Sequence, residues 1–169
     1  QIPVTPCALS MARAEVELVR GTNSFDEKVD TMTYDYRARK IVVLLDETTP
    51  IGKAMNALGH LSFSAGRYLD ESWMGKPKFT DSSNQPHVGI AKYPLIVLKS
   101  NAAEIKTIVE KAKQMEIFVV DYPQEMFDYG PDDEMVAAIE QNTHEKLDYH
   151  AVILCGDTEK IKTLTGHLK

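Results

Sequence analysis

The apolar positions of this chain form short continuous runs that alternate with segments of helical spacing. Within Arg39–Asp46 the apolar residues are consecutive, which is typical of a strand buried on both faces. We predict three further strands, at His87–Leu98 with a break near Pro94 and a buried half at Leu95–Leu98, at Ile117–Val120, and at Tyr149–Cys155.

Helical spacing predicts four helices, at Pro50–Leu69, at Asn101–Met115, from Pro131 onwards, and at Thr158–Leu168. A long loop is predicted at Asp70–Pro86, which is rich in turn-forming residues. Strands that alternate with helices favour an α/β fold. We therefore predict a three-layer α/β/α sandwich around a mixed, partly parallel sheet of about four strands.

The helix Pro50–Leu69, for which Thr49 is the predicted N-cap, separates into three stripes when projected at about 100° per residue. Its predicted core face consists of Ile51, Met55, Leu58, Ala65 and Leu69. The opposite side is polar and carries Lys53, His60, Ser64 and Arg67, with Asn56 at its edge. The sequence thus predicts one buried and one polar side for this helix.

Between these two sides, Gly52, Gly59 and Gly66 recur every seven residues. A glycine inside a helix is about 1 kcal/mol less favourable than alanine, so three on one line need a reason. We interpret the stripe as a place where another backbone or a partner subunit approaches closely. Chance recurrence is the alternative.

Length and composition favour one domain at residues 34–169, preceded by an N-terminal extension at residues 1–33. Within the extension, residues 8–20 are predicted as a short helix, or else as part of a partly disordered segment. Only Cys7 and Cys155 are present, the first residues lack the features of a signal peptide, and no run is long enough to span a membrane. We expect a cytoplasmic protein, with Cys155 as a small core residue.

The net charge of −6 is unevenly distributed. Residues 39–113 carry eleven Lys and Arg against seven Asp and Glu, whereas residues 114–157 carry eleven acids and one base. Proteins that grip a nucleic-acid backbone usually present a basic face. Nucleic-acid binding is therefore disfavoured.

Motifs for cofactors and metals are missing from the sequence. The segment Asp46–Ala54 fails the phosphate-loop pattern, because Glu47 stands where a glycine is needed and Ala54 replaces the magnesium-binding hydroxyl. No dinucleotide fingerprint or zinc spacing is present, so we predict neither a cofactor nor a metal. His144 and His150 are interpreted as surface residues.

Three segments carry a family resemblance. They are Lys40–His60, with Gly52-Lys53 followed by His60 seven residues after the lysine; the strand and helix at Tyr93–Met115; and the ending Thr165-Gly-His-Leu-Lys169. Together they resemble the peptidyl-tRNA hydrolase II superfamily, and the resemblance covers most of residues 39–169. It implies a peptidyl-tRNA hydrolase II-like fold.

Two positions depart from that superfamily. The family carries a glutamine three residues before the helix histidine, where this chain has Ala57, and a threonine four residues after its third-strand aspartate, where this chain has Glu125 after Asp121. The pieces Leu45–Thr48, His87–Ile90 and Pro94–Leu98 are more similar to a bacterial family of unknown function that shares the same fold. Peptidyl-tRNA hydrolysis itself is therefore disfavoured.

Two function classes remain. In the first, the resemblance implies a hydrolase or transferase on a small acyl or ester substrate, with Lys53, His60 and Asp121 as catalytic candidates and Asn56 and His87 as substrate-binding candidates. Lysine supplies a fixed positive charge and histidine a proton carrier near neutral pH. In the second, the chain is a non-catalytic binding or regulatory module. The resemblance and the glycine stripe also favour a homodimer.

Overall fold

The computed structural model describes residues 34–168. Its main sheet has four strands, β1 (Arg39–Asp46), β4 (Leu95–Ser100), β5 (Phe118–Pro123) and β6 (Tyr149–Asp157), in the order β4-β1-β6-β5. β1 pairs parallel with β4 and antiparallel with β6, and β6 pairs antiparallel with β5. The sheet is therefore mixed, as the sequence predicts.

Five α-helices occur among the described residues: α1 (Ile51–Tyr68), α2 (Ala102–Gln114), α3 (Glu125–Asp128), α4 (Asp132–Glu140) and α5 (Thr158–Thr165). α1 packs on one face of the sheet, and α2 and α5 pack on the other. The mixed α/β architecture with helices on both faces is thus confirmed. No helix within residues 34–168 is both long and apolar enough to cross a membrane.

The strands β1 and β6 form the centre of the core because their apolar runs face helices on both sides. Val42 and Leu44 point to α2 and α5, whereas Ile41 and Val43 point to α1. The predicted small core residue Cys155 is 2% exposed, and burial raises the pKa of its thiol to about 12. It therefore stays a neutral thiol.

Two predictions about the region 70–98 are wrong. The predicted long loop contains the strand β2 (Lys78–Thr80), which pairs with β3 (Pro86–Val88) in a separate two-stranded sheet. The strand predicted at His87–Leu98 is thus two strands that belong to different sheets. Leu95 and Val97 are each 44% exposed, because β4 is an edge strand whose α1-side face is only partly covered.

The core face predicted for α1 is confirmed only in part: Ala65 is buried, and Leu58 and Leu69 are partly buried against the core. The buried residues are Ala54, Ala57, Leu61 and Ala65, whereas Ile51 and Met55 are 76% and 53% exposed. The buried stripe is rotated by about a quarter turn from the predicted one. Three alanines line it, so α1 lies close to the sheet; among the larger apolar side chains Leu61 is buried, whereas Ile51 and Met55 are left outside.

The glycine stripe consequently faces away from the sheet. A Cβ atom placed on Gly52, Gly59 or Gly66 meets nothing within 4 Å in the described part of the chain. No backbone of this domain explains the stripe. Beside it Phe63 is 84% exposed, so this side of α1 is an uncovered apolar surface.

A hydrogen bond at the C-terminal end of α5 connects this helix to α2. Thr165 is buried and donates to the Ile161 carbonyl at 2.9 Å, and His167 Nε2 lies 2.7 Å from Glu104 Oε1 on α2. Ser100 donates to the other oxygen of Glu104 at 2.5 Å. The Ser100 and His167 hydrogen bonds lower the pKa of Glu104. Because the carboxylate lies between the hydroxyl and the imidazole, these residues tie α2 to α5 and do not pair a nucleophile with a base.

Candidate functional site

A cavity of about 370 Å³ lies between α1, β5 and the α3–α4 segment. Its polar lining includes three residues predicted from the sequence, Asn56, His60 and Asp121. Its apolar lining includes Leu61, Val120, Met126 and Met135. Polar groups make up more of this lining than apolar groups do, and a concave site on which polar groups converge can hold a small molecule.

Asn56 and His60 reach this cavity because they lie on the polar side of α1, next to the edge strand β5. Asn56 Nδ2 donates to the Tyr122 hydroxyl at 3.3 Å, and that hydroxyl donates to the Met126 carbonyl at 3.2 Å. Burial raises the pKa of Tyr122, so its phenol stays protonated near neutral pH. The His60 ring packs against the Tyr122 ring with 5.9 Å between centroids.

Asp121 lines the same cavity, but its carboxylate is held from the other layer of the fold. Oδ2 lies 3.4 Å from Lys113 Nζ on α2. Along β5, Val120 and Tyr122 pack with α1, whereas Val119 packs with α2. Alternation along a strand places residue 121 on the side of residue 119. The sheet edge therefore lies between the Asp121 carboxylate and His60.

Lys53 lies one helical turn before Asn56 and outside the cavity lining. Its Nζ sits 5.0 Å from the centre of the Phe127 ring. Phe127 in turn packs against Tyr122, with 4.8 Å between centroids. Lys53 is thus connected to the cavity lining only indirectly, through Phe127 and then Tyr122.

His87 lies away from this group. It belongs to the β2–β3 hairpin, where its ring stacks on Phe79 at 5.3 Å and its Nε2 lies 3.6 Å from Asp81. The four candidates Lys53, His60, His87 and Asp121 therefore do not all converge. His60 and Asp121 line one cavity, Lys53 lies outside its lining, and His87 belongs to a separate sheet.

Glu125 stands where the resemblance to peptidyl-tRNA hydrolase II predicts a threonine, and it faces a different cavity. That cavity holds about 430 Å³ between α3 and α4 and is lined by acids and amides that include Glu134 and Asn142. Glu125 Oε1 accepts from Asn142 Nδ2 at 3.2 Å, and its Oε2 is buried without a hydrogen-bond partner in the part of the chain described. Position 125 therefore contributes nothing to the His60 cavity.

Two histidines that the sequence predicts at the surface, His144 and His150, are partly buried and hydrogen-bonded. His144 Nδ1 lies 2.8 Å from the Tyr149 hydroxyl, and its Nε2 lies 3.0 Å from Glu110 Oε1. Burial, with Asp121, Glu125 and Glu110 nearby, raises the pKa of Tyr149 to about 12. Tyr149 is therefore a neutral, buried anchor for the turn that precedes β6.

His150 lies at the beginning of β6 and is 22% exposed. Its Nδ1 is 2.8 Å from Thr49 Oγ1 and 3.6 Å from Asp46 Oδ2. Thr49 was predicted to cap α1, but the N-cap is Pro50 and no side chain within residues 34–168 caps the helix. No sequence signal links residues 49 and 150, because the antiparallel pairing of β1 and β6 brings them together.

No group of three or more His, Cys, Asp or Glu side chains suited to a metal ion occurs in the described residues. The candidate site consists of a stripe of polar side chains along α1 and an adjoining cavity of small-molecule size.

Residues 39–169 match the family described as "Protein of unknown function (DUF2000)". No curated protein matches the chain. Among solved structures, a protein of unknown function from Agrobacterium tumefaciens strain C58 is similar, with a TM-score of 0.68 and 17% sequence identity. The similarity covers 78% of this chain and 96% of that chain. At this identity the likeness shows a shared fold and leaves activity open.

Proposed function

Because the chain belongs to the DUF2000 family of proteins of unknown function, we propose an activity from its own site: hydrolysis or transfer of a small acyl or ester substrate bound along α1. The observation that carries this proposal is the convergence of Asn56, His60 and Tyr122 on a cavity of about 370 Å³. A buried phenol, an amide and an imidazole offer the donors and acceptors that orient a carbonyl compound.

The polar side of α1 leads from the helix start to this cavity. Lys53, Asn56 and His60 are spaced by three and four residues, which places them on one stripe of the helix, and Thr49 lies just before the N-cap Pro50. At 1.5 Å per residue, Lys53 and His60 are about 10 Å apart along the axis. In this proposal a substrate lies along the stripe, with one end in the cavity and Lys53 beside the reacting end.

We include a peptidyl-tRNA hydrolase II-like arrangement in this proposal, because Lys53 and His60 lie on one side of a helix that follows a central strand. A peptidyl-tRNA ester is a poor substrate for this site, because Asp132 lines the cavity and its carboxylate repels a phosphate backbone. A small acyl ester lacks that charge. The alternative class, a non-catalytic binding module, predicts ligand binding in the same cavity without turnover.

We expect His60→Ala to lower kcat/KM for a responsive ester by about tenfold, the usual effect of losing one hydrogen bond to substrate. The measurement is hydrolysis of a panel of short- and medium-chain p-nitrophenyl esters. His87→Ala is the matched control, because it removes the same side chain from the separate hairpin and should leave the rate unchanged. Failure of the whole panel to turn over at high protein concentration would contradict the enzymatic proposal and favour the binding module.

We also propose that a second copy of the chain covers the outward face of α1. The pattern is symmetrical about Gly59: Gly52 and Gly66 lie seven residues away, and Met55 and Phe63 lie four residues away. A two-fold interface needs a patch that complements itself. Two antiparallel copies of α1 that cross at Gly59 place Met55 of one copy against Phe63 of the other.

Gly59→Leu is expected to convert a dimer to a monomer in light scattering, because the new side chain prevents close approach at the crossing. The fold itself should keep its melting temperature, since nothing lies within 4 Å of a Cβ at this position. Gly130→Leu is the control, because its position has equal space and lies outside α1. A monomeric unmodified protein, or a dimer that survives Gly59→Leu, would rule out this interface.

A further inference from the structure

A hydroxyl, an imidazole and a buried carboxylate meet where β1 ends and β6 begins. Asp46 is the last residue of β1 and is 4% exposed. Thr49 Oγ1 lies 2.8 Å from His150 Nδ1 and 3.2 Å from Asp46 Oδ2, and His150 Nδ1 lies 3.6 Å from the same oxygen. A hydroxyl within hydrogen-bond reach of a base, with a third group beside that base, is the arrangement of an activated nucleophile.

From this geometry we propose that Thr49 is a nucleophile that takes the acyl group of an ester, with His150 as its general base and Asp46 stabilising the charged imidazole. This inference rests on the proposed function and deepens it. It assigns the bond-breaking step to the start of α1 and leaves the His60 cavity to bind the rest of the substrate.

The Thr49 hydroxyl has two acceptors within reach. It donates to Asp46 Oδ2 at 3.2 Å, an oxygen that also accepts from Thr48 Oγ1 at 2.6 Å. His150 Nδ1 is nearer, at 2.8 Å, so rotation of the hydroxyl brings its proton to the imidazole. When His150 carries its proton on Nε2, its Nδ1 accepts from Thr49. The Asp46 carboxylate then lies 3.6 Å from the nitrogen that becomes charged and attracts it.

The start of α1 supplies donors for the oxyanion. The first N–H groups of a helix have no acceptor within the helix, and they attract negative charge. Here no side chain caps them among the described residues, and the first turn carries no acid. Gly52 and Lys53 belong to this turn, and Lys53 adds a positive charge at the Phe127 ring, which packs edge-on against His150 at 5.5 Å.

The same aromatic ring joins the two parts of the site. Phe127 contacts His150 on one side and Tyr122 of the cavity on the other. Since Thr49 lies before the start of α1 and Phe127 stands between His150 and Tyr122, the substrate that fits is an ester whose flexible, medium-length acyl chain reaches from Thr49 past Phe127 to the cavity. Its carbonyl lies at Thr49, and the far end of its chain lies in the cavity.

The reaction balances with water as its only co-reactant. Thr49 Oγ1 bonds to the ester carbonyl carbon, its proton passes to His150 Nδ1, and the carbonyl electron pair moves onto oxygen. Collapse of this intermediate breaks the ester C–O bond, and the leaving alkoxide takes the proton from His150. Water then attacks acyl-Thr49 with His150 again as base, which releases the acid and restores the hydroxyl.

The test is incubation of the whole protein with p-nitrophenyl octanoate, followed by p-nitrophenol release and intact-mass and peptide analysis. We expect an octanoyl adduct on Thr49 or, if it turns over too quickly to accumulate, a rate that depends on Thr49. Thr49→Val and His150→Ala should slow release by about 10²- to 10⁴-fold, while Thr49→Ser retains most of it. Thr163→Val is the control, because its hydroxyl donates to the Glu159 carbonyl of α5, away from this group, and it should react like the unmodified protein.

Release in Thr49→Val within about twofold of the unmodified protein, or an adduct on another residue, would overturn the inference. Equal loss in Thr49→Val and Thr49→Ser together with a lower melting temperature would assign Thr49 a structural role and overturn it as well. Turnover that needs His60 but not Thr49 refutes this inference and leaves the proposed function standing. Absence of turnover with every ester refutes both.

Discussion

Ala57→Gln is expected to lower the free energy of unfolding by about 2–5 kcal/mol, although it restores the glutamine of the resembled peptidyl-tRNA hydrolase II superfamily. Ala57 is fully buried between α1 and the sheet, among the side chains of β1 and β6. A glutamine there must push α1 away from the sheet and leave an amide without partners. The measurement is chemical denaturation followed by circular dichroism.

Asn56→Gln is the control for this prediction, since it introduces the same side chain at the neighbouring position. Asn56 is exposed and bonds to the Tyr122 hydroxyl at 3.3 Å, so we expect a change below about 0.5 kcal/mol. Equal stability of the two variants would show that α1 does not lie tightly on the sheet. The predicted outcome would show that Ala57 is a packing residue and that this fold does not accommodate a glutamine at position 57.

Leu44→Ala should destabilise the protein by about 2–5 kcal/mol, because it removes a large side chain from the centre of the core. Leu44 is 0% exposed and lies on β1, which pairs with strands on both sides. The loss combines the lost burial of apolar groups with the cavity that remains. The midpoint and slope of urea denaturation report it.

Leu95→Ala makes the same chemical change on the edge strand β4. Leu95 is 44% exposed, so its removal should cost clearly less than that of Leu44. A loss at Leu95 equal to that at Leu44 would mean that a further element or a second copy covers the exposed side of β4. The pair of variants therefore measures how completely that face is covered in solution.

Much of the fold was predictable because its strongest signals are local. The continuous apolar run of β1 marks a central strand, and the capping-box pattern at Asn101 and Glu104 marks the start of α2, where Asn101 Oδ1 accepts from the Glu104 N–H at 2.9 Å. The β2–β3 hairpin was missed because its three-residue strands are exposed on every residue and carry no burial pattern. Short exposed strands leave little trace in hydrophobic spacing.

The candidate site was predictable only in part. The spacing of Asn56 and His60 placed both on one side of a helix, and the structure puts both in one cavity. The side of β5 to which the Asp121 carboxylate turns depends on packing against α2, where Lys113 holds it. No spacing along the chain contains that information.

By itself, the sequence determined the alternation of strands and helices and the polar stripe of α1, because each depends on residues that are near one another in the chain. Only the tertiary structure decided which apolar side of α1 is buried, since an alanine stripe fits closer to the sheet than the larger Ile51 and Met55. It alone also brought Thr49 to His150, which is 101 residues away. Periodicity along the chain predicts that a helix has an apolar face, and packing between distant segments decides which element covers that face.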